Sequence, residues 1–303
     1  MMLLMELVKN ADLSKLSTLR VKAFAEFFSA PKTLEELLEL FEHIKSKKLS
    51  WNILGAGSNT LLSSRAIPGV LVSTNSLDFI KNLGDNRFEV GCGMRMPRFC
   101  ALMTKENLSG AEFMEGIPGS IGGGIVMNAG AHGSEISKIL VGAKVLNLQT
   151  LEIETWSKED LKFSYRHSSI DPHKYFLVSG IFRLTSDTKE AIRERVMANN
   201  NARTTHQPIK AWTCGCTFKN PQPGVSAGLL IQELGLKGTQ VGDFVISDMH
   251  GNFFENHGEG TSMDFCNLMK IVQQKALEEK NLYLKPEVQV MGEFTDDELK
   301  IWQ

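Results

Sequence analysis

A chain of 303 residues has room for two domains of ordinary size. With 42% hydrophobic and 22% charged residues it reads as a globular protein with a sizeable core, and a net charge of −2 gives no bulk attraction to nucleic acid or an acidic membrane. The apolar start MMLLMELVKN lacks a preceding basic residue and is broken by Glu6, so it is not read as a signal peptide. No apolar run approaches the ~20 residues of a membrane span, and five cysteines without framework spacing fit reduced thiols in a cytoplasm.

In chain order, Leu16–Val21 is expected to be an extended lead-in. Thr33 is placed to cap a helix running to about Ser46, with Glu36 completing a capping box and Leu34, Leu37, Leu38 and Phe41 at helical spacing. Trp51–Leu54, Gly69–Ser73 and Phe88–Cys92 read as strands, the last after a Gly84-Asp85-Asn86 turn. Met96–Asn107 reads as a helix with Pro97 in its first turn. Ile139–Leu148 and Leu151–Trp156 read as a hairpin or meander, and Tyr175–Leu184 as a further strand. From Asp187 to Asn201 the texture is that of a charged helix with a solvated face. Helices are then expected at Ser226–Leu234 and Ser262–Lys280, and strands at Asp243–Ser247, Asn252–Glu255 and Glu287–Met291. Strands without regular strand–helix alternation predict an α+β fold rather than a doubly wound sheet. The change of texture sets an expected boundary near 187, giving domains 1–187 and 188–303.

Glycine is concentrated in Gly116–Gly133, GIPGSIGGGIVMNAGAHG, and in the shorter Leu54-Gly55-Ala56-Gly57-Ser58-Asn59. Such runs let the backbone reach unusual conformations or approach a partner closely, and their amides suit a phosphate or a flat cofactor. In a Rossmann fingerprint the third glycine would stand at Thr60, and Leu61–Pro68 is a poor start for the helix required. The Rossmann reading is set aside. A plain tight turn is the alternative for GAGSN alone; with the second loop present, a diphosphate cradle is preferred.

These residues carry a resemblance. GAGSN, Gly116–Gly123 and Asn128-Ala129-Gly130-Ala131, then Ser164-Tyr165-Arg166, Arg203 with Gln207-Pro208, Gly215–Pro221, Ala227–Ile231 with Gly235–Gly238, and Pro286-Glu287-Val288 occur together in order. From about Leu16 to Gly292 the chain resembles the UDP-N-acetylenolpyruvoylglucosamine reductase family, in its shorter subgroup, which lacks the segment bearing a substrate-binding tyrosine. The resemblance implies an FAD domain of the vanillyl-alcohol-oxidase type, in two subdomains, followed by a smaller substrate domain. It implies peptidoglycan-precursor synthesis in the cytoplasm. NADPH reduces non-covalent FAD and leaves. A hydride from flavin N5 then goes to C3 of UDP-N-acetylglucosamine enolpyruvate, and a proton to C2 gives UDP-N-acetylmuramate. A monomer without nucleic-acid or membrane partners is expected.

The resemblance assigns FAD contacts to Gly55, Ala56, Gly57, Ser58, Asn59, Gly116, Pro118, Gly119, Ser120, Gly122, Gly123, Asn128, Ala129 and Gly130. Arg166 matches the family arginine and suits the enolate charge that hydride addition builds on the substrate carboxylate; a surface ion pair is its bland alternative. Glu287 matches the family glutamate, beside the substrate carboxylate, where like charge and burial favour its protonated form; an exposed strand-end carboxylate is the alternative. Cys216 stands where the family carries the serine that protonates C2, and a thiol, with a reference pKa of about 8.5, yields a proton more readily than an alcohol. Its alternatives are a small buried hydrophobe, or half of a Cys214-Gly215-Cys216 redox or metal pair; without histidine at zinc spacing no metal is expected. Tyr165, Lys219, Asn220 and His250 fall at substrate-contacting positions, while Met249 and Gln289 replace family lysine and arginine. Two competing readings are another flavin oxidoreductase on the same fold and a non-catalytic nucleotide-sugar or flavin sensor.

Overall fold

Thr33 is the N-cap of the first helix, α1 (Leu34–Lys47), its hydroxyl accepting from the Glu36 amide at 3.2 Å. The expected box is only half formed: the Glu36 carboxylate accepts from the Lys32 amide, one residue before the cap. In the computed structural model, which describes residues 6–303, the chain forms two compact units. The first comprises Phe28–Ala56 and Gly69–Arg203 with the described residues before Lys9; the second comprises Lys9–Phe27, Gly57–Pro68 and Thr204–Gln303. Residues Met1–Met5 of the apolar start lie outside the described residues.

In the first unit, Trp51–Leu54 pairs in parallel with Ile67–Ser73 from Val70 onward, so both strands end at the same level. A second sheet is antiparallel, ordered Ile153–Ser157, Leu140–Asn147, Tyr175–Arg183, Arg87–Gly91, Ile80–Gly84. The expected turn is present: Asp85 and Asn86 have φ of 50° and 56°, the left-handed pair of a tight hairpin. Helix α2 (Met96–Lys105) begins with Pro97 in its first turn. Helix α3 (Ile121–Val126) lies inside the long glycine stretch and was not expected there. Three glycines in six residues oppose helix formation, and tertiary contacts overrule them. Helix α4 (Lys189–His206) belongs to this unit as far as Arg203.

The second unit holds α5 (Ala227–Glu233), α6 (Ser262–Lys280) and α7 (Asp296–Leu299), with strands Gln240–Val241, Phe244–Ile246 and Phe254–Asn256 in one antiparallel sheet. Helix α6 has a complete capping box, Thr261 with Asp264, and ends at left-handed Asn281. Gln289–Met291 pairs in parallel with Thr60–Leu62. Thr60, at the third glycine position of the Rossmann pattern, thus opens a strand and no helix follows. Leu16–Val21 is not extended. The Ser17 hydroxyl accepts from the Leu19 amide and its carbonyl from Arg20, which sits at φ 56°, so local turns replace a strand.

Candidate active site

In the first unit a closed circuit of close approaches surrounds the end of strand Trp51–Leu54. The Thr74 amide donates to Leu54 O at 3.0 Å, and Leu54 leads directly into Gly55. A Cβ on Gly55 would stand 3.1 Å from Ser120 Oγ, which caps α3 by accepting from the Gly123 amide at 3.4 Å. One residue earlier, the Gly122 amide donates to Cys92 O at 2.8 Å, and a Cβ on Gly122 would lie 2.9 Å from Cys92 Cβ. A Cβ on Gly93 would fall 2.2 Å from Thr74 O, closing the circuit. At Gly93 backbone itself fills the place of a side chain, at Gly122 the Cys92 Cβ and carbonyl do, and at Gly55 only the Ser120 hydroxyl would have to give way. The Ile121 and Gly122 amides are already spent on Met94 O and Cys92 O, so this stretch is not simply a row of open donors. Gly123 is the exposed member, with nothing but Ser120 Oγ near its missing Cβ, at 3.7 Å.

The far end of the stretch carries the Arg166 loop. Buried Asn128 donates from Nδ2 to Ser164 O at 3.2 Å and accepts at Oδ1 from the Ser137 amide at 3.0 Å. Ser168 Oγ donates to Val126 O at 2.8 Å. Arg166, at φ 54°, donates from Nη2 to Gly130 O at 3.2 Å, and its guanidinium carbon lies 5.1 Å from the ring centre of exposed Tyr165. A non-glycine residue held left-handed costs energy that the surrounding bonds must supply, a pattern common at functional sites. Gly116 meets half-buried Arg203, whose Nη1 would be 2.7 Å from a Cβ there, and Gly119 O accepts from the Met96 amide. Pro118, Ala56 and Ala129 are half-buried in these same loops.

The second unit brings together the rest of GAGSN with Cys216 and Glu287. Gly57, at φ 65°, is fixed against Leu16, whose carbonyl would be 2.0 Å from a Cβ; Ser58, next to it, is half-buried. Asn59 Nδ2 donates to Glu287 O at 3.1 Å, and Asn59 O accepts from the Gln289 amide at 3.0 Å. The Glu287 amide donates to Thr217 O at 2.8 Å, next in chain to Cys216, which forms an isolated bridge with Phe253. Cys216 is half-buried, whereas burial pushes the Cys214 thiol up to about 12. Among the described residues no group of three or more His, Cys, Asp or Glu is placed to hold a metal ion.

His250 is packed against Gly228, where a Cβ would meet Cε1 at 2.7 Å, and Nδ1 accepts from the Asn252 amide at 3.2 Å. Burial lowers its pKa, so the ring is neutral at pH 7. Asn220 Oδ1 accepts from the Ala227 amide and so braces the start of α5, and the Lys219 amide donates to Lys285 O. Asn252, which together with His250 resembles a family run, is spent on the backbone. Its side-chain amide accepts from Phe218 N at 2.9 Å and donates to Phe218 O at 2.8 Å, holding the segment that follows Cys216. Only the run His250-Gly251-Asn252-Phe253 pointed toward it.

Residues 207–291 match the family described as UDP-N-acetylenolpyruvoylglucosamine reductase, C-terminal domain, and residues 25–153 match an FAD binding domain. The reductase of that name from Bacillus pumilus is 37% identical over 290 residues, with 95% of each chain covered. The chain belongs to the UDP-N-acetylenolpyruvoylglucosamine reductase family. The Listeria monocytogenes reductase is likewise 37% identical, over 94% of each chain. The crystal structure of the Thermus caldophilus UDP-N-acetylenolpyruvylglucosamine reductase superposes with a TM-score of 0.81 at 32% identity, covering 95% of this chain and 99% of that one. The fold is α+β and includes an FAD-binding domain, as the resemblance implied. The first unit fits such a cofactor on its own evidence: a loop circuit in which side chains are excluded at Gly93 and Gly122 and crowded at Gly55, with Gly123 uncovered beside it. Among the described residues no helix is long and apolar enough to cross a membrane.

Proposed function

We propose that this protein is a cytoplasmic UDP-N-acetylenolpyruvoylglucosamine reductase, using NADPH and FAD to convert UDP-N-acetylglucosamine enolpyruvate to UDP-N-acetylmuramate. Gly55, Ala56, Gly57, Ser58, Asn59, Gly116, Pro118, Gly119, Ser120, Gly122, Gly123, Asn128, Ala129 and Gly130 would hold FAD, which would supply hydride transfer between NADPH and C3 of the enolpyruvyl ether. Cys216 gives its proton to C2, and the thiolate recovers a proton from water. Arg166 holds the substrate carboxylate and offsets its growing negative charge, a task suited to a forked cation already fixed by Gly130 O. Glu287 contributes a carboxyl beside Cys216, its backbone bonded to Thr217 and Asn59. Tyr165, Lys219, Asn220 and His250 are the residues proposed to contact the nucleotide sugar.

The observation that supports this reading most is the joint fixing of Cys216 and Glu287: one backbone bond at 2.8 Å ties Glu287 to Thr217, next to the thiol. Cys214 is only 4% exposed whereas Cys216 is half-buried, which supports Cys216 as the working thiol. A yellow preparation should consume NADPH in step with the enolpyruvyl substrate. Cys216→Ala should leave NADPH reduction of the flavin nearly intact and lower turnover by ~10²–10⁴, the usual worth of a positioned general acid. Cys216→Ser should retain much of the activity. Normal turnover by the alanine variant would remove the proton-donor role.

A further inference from the structure

Cys216 has a pliant neighbour on one side and a fixed segment on the other. Gly215 sits at φ 78° with nothing within 4 Å of its missing Cβ, so no packing at that residue fixes the chain before the thiol. After the thiol, Thr217 and Phe218 are buried, and three of their main-chain groups are met by one residue. Asn252 O accepts from the Thr217 amide at 2.8 Å, Asn252 Oδ1 accepts from the Phe218 amide at 2.9 Å, and Asn252 Nδ2 donates to Phe218 O at 2.8 Å. Asn252 is itself only 2% exposed, so a main-chain group freed by the loss of its side chain would stay unmatched. The backbone beside it cannot stand in. The Asn252 amide donates to His250 Nδ1, the Phe253 amide to His250 O, and Phe253 O accepts from the Ser247 amide. Thr217 O accepts from the Glu287 amide and the Lys219 amide donates to Lys285 O, so the same segment is also tied to the stretch that carries Glu287.

We propose that Asn252 is a positioning residue for Cys216, its side chain setting where the thiol stands when it gives up its proton. This role depends on the proton-donor reading of Cys216 and adds to it a residue that touches neither substrate nor flavin. A proton donor must come within about 2.6–3.2 Å of the atom it protonates, and a thiol on a glycine joint reaches that range reliably only if the chain beyond it is held. The side-chain amide of asparagine suits the task, because it offers one acceptor and one donor at the spacing of a peptide group and so replaces a strand partner that the Phe218 backbone lacks.

Asn252→Asp tests this with little change of shape. The carboxyl still accepts from the Phe218 amide, but when ionised it has no proton for Phe218 O and sets oxygen against oxygen. In flavin-loaded protein, reduction of the flavin by NADPH should stay within about twofold of the parent, while reoxidation by the enolpyruvyl substrate should slow ~10-fold at alkaline pH, short of the ~10²-fold that a displacement of an ångström can cost. Toward acid pH the carboxyl takes up a proton, a form that burial favours, and donates to Phe218 O again, so the deficit against the parent should shrink. Asn252→Ser, too short for either bond and without a titrating group, should show a deficit that does not vary with pH. In a Cys216→Ala background, Asn252→Asp should change the residual turnover by less than about twofold, because residues acting through one another are not additive. Without substrate, iodoacetamide should alkylate Cys216 of Asn252→Asp at least about threefold faster than Cys216 of the parent, as the freed segment opens; Cys92, Cys100, Cys214 and Cys266 are buried and do not compete. A deficit in Asn252→Asp that is constant with pH, or equal with and without the thiol, would overturn the inference by assigning the effect to general loosening. Parent-like reoxidation and alkylation in both Asn252 variants would overturn it and leave the reductase reading intact. Normal turnover by Cys216→Ala would instead remove the proton-donor role on which it depends.

Discussion

Glycine does two different jobs in this chain, and the structure separates them by what surrounds the missing Cβ. Gly57 has φ 65° and the Leu16 carbonyl 2.0 Å from where a Cβ would stand, whereas Gly84, at φ 81°, has nothing within 4 Å. Gly84→Ala should therefore cost only the left-handed conformation, about 1–2 kcal/mol. Gly57→Ala adds a clash with backbone that cannot rotate away, so its cost should exceed about 3 kcal/mol when strain and overpacking add. Urea unfolding of both variants measures the difference, and equal midpoints would mean that the Leu16 turn yields freely. Which glycines pack and which stay open could not be read from GIPGSIGGGIVMNAGAHG itself. The string announces freedom of the backbone, but Gly122 and Gly124 are closed by Cys92, Ile136 and Met96 while Gly123 is exposed, and all of those neighbours but Ile136 come from well before the stretch.

Among the elements, α4 has a role that its charge pattern concealed. Arg195, Asn199 and Arg203 recur every four residues and all turn to the segment leading into the long glycine stretch. Arg195 Nη2 lies 2.8 Å from Glu112 Oε1, Asn199 Nδ2 donates to Glu112 O at 3.0 Å, and Arg203 packs on Gly116. The expectation of a solvated charged face missed this because the partner, Glu112, is buried and more than eighty residues away. Burial alone would raise the Glu112 pKa. The Glu112 and Gly110 amides, the Ser109 hydroxyl and Arg195 outweigh it and hold the carboxyl below its ordinary value. A folded pKa below the unfolded one gives stability that is present above about pH 4.3 and lost as pH falls through the folded value. Glu112→Gln should therefore cost about 1.5–3 kcal/mol at pH 7, the worth of hydrogen bonds to a charged group. The gap to the parent should close as the pH is lowered below 4, and parallel pH curves would remove the carboxylate from the account. Elements with strong local signals are legible: α6 has the expected bounds, and its stripe of Phe265, Leu268, Met269, Val272 and Ala276 is buried as helical spacing requires. Helix α3 and strands Val8–Asp12 and Phe24–Ser29 were not, since their stability comes from neighbours rather than from their own residues.

At the scale of the molecule, the second unit is assembled from three separate stretches of chain, and the two short ones are structural members of it. Leu19, Val21 and Leu61 are fully buried in one hydrophobic cluster with Phe218, Phe244, Phe254 and Phe265. Thr60–Leu62 supplies the only pairing partner of Gln289–Met291 among the described residues, Asn256 Nδ2 donates to Leu19 O at 2.9 Å, and Arg65 makes a two-bond contact with buried Glu298 at 2.8 and 3.2 Å. Sequence texture along the second half carries none of this, because the contributing segments lie some 140 to 190 residues upstream. Their loss is large on the scale of a domain: three buried aliphatic side chains at about 1.5–3 kcal/mol each approach the ~5–15 kcal/mol that holds a typical fold. A fragment comprising residues 204–303 should therefore show no cooperative thermal transition and should expose the aromatic cluster to a hydrophobic dye. The full chain carrying Leu61→Ala should fold but lose about 2–5 kcal/mol by cavity formation, with the loss read from urea unfolding. A fragment 204–303 that melts cooperatively near the temperature of the intact protein would show that Lys9–Phe27 and Gly57–Pro68 are attached to this unit rather than built into it. The Asn59–Glu287 bond would then have to be explained as a contact that forms after the unit has folded.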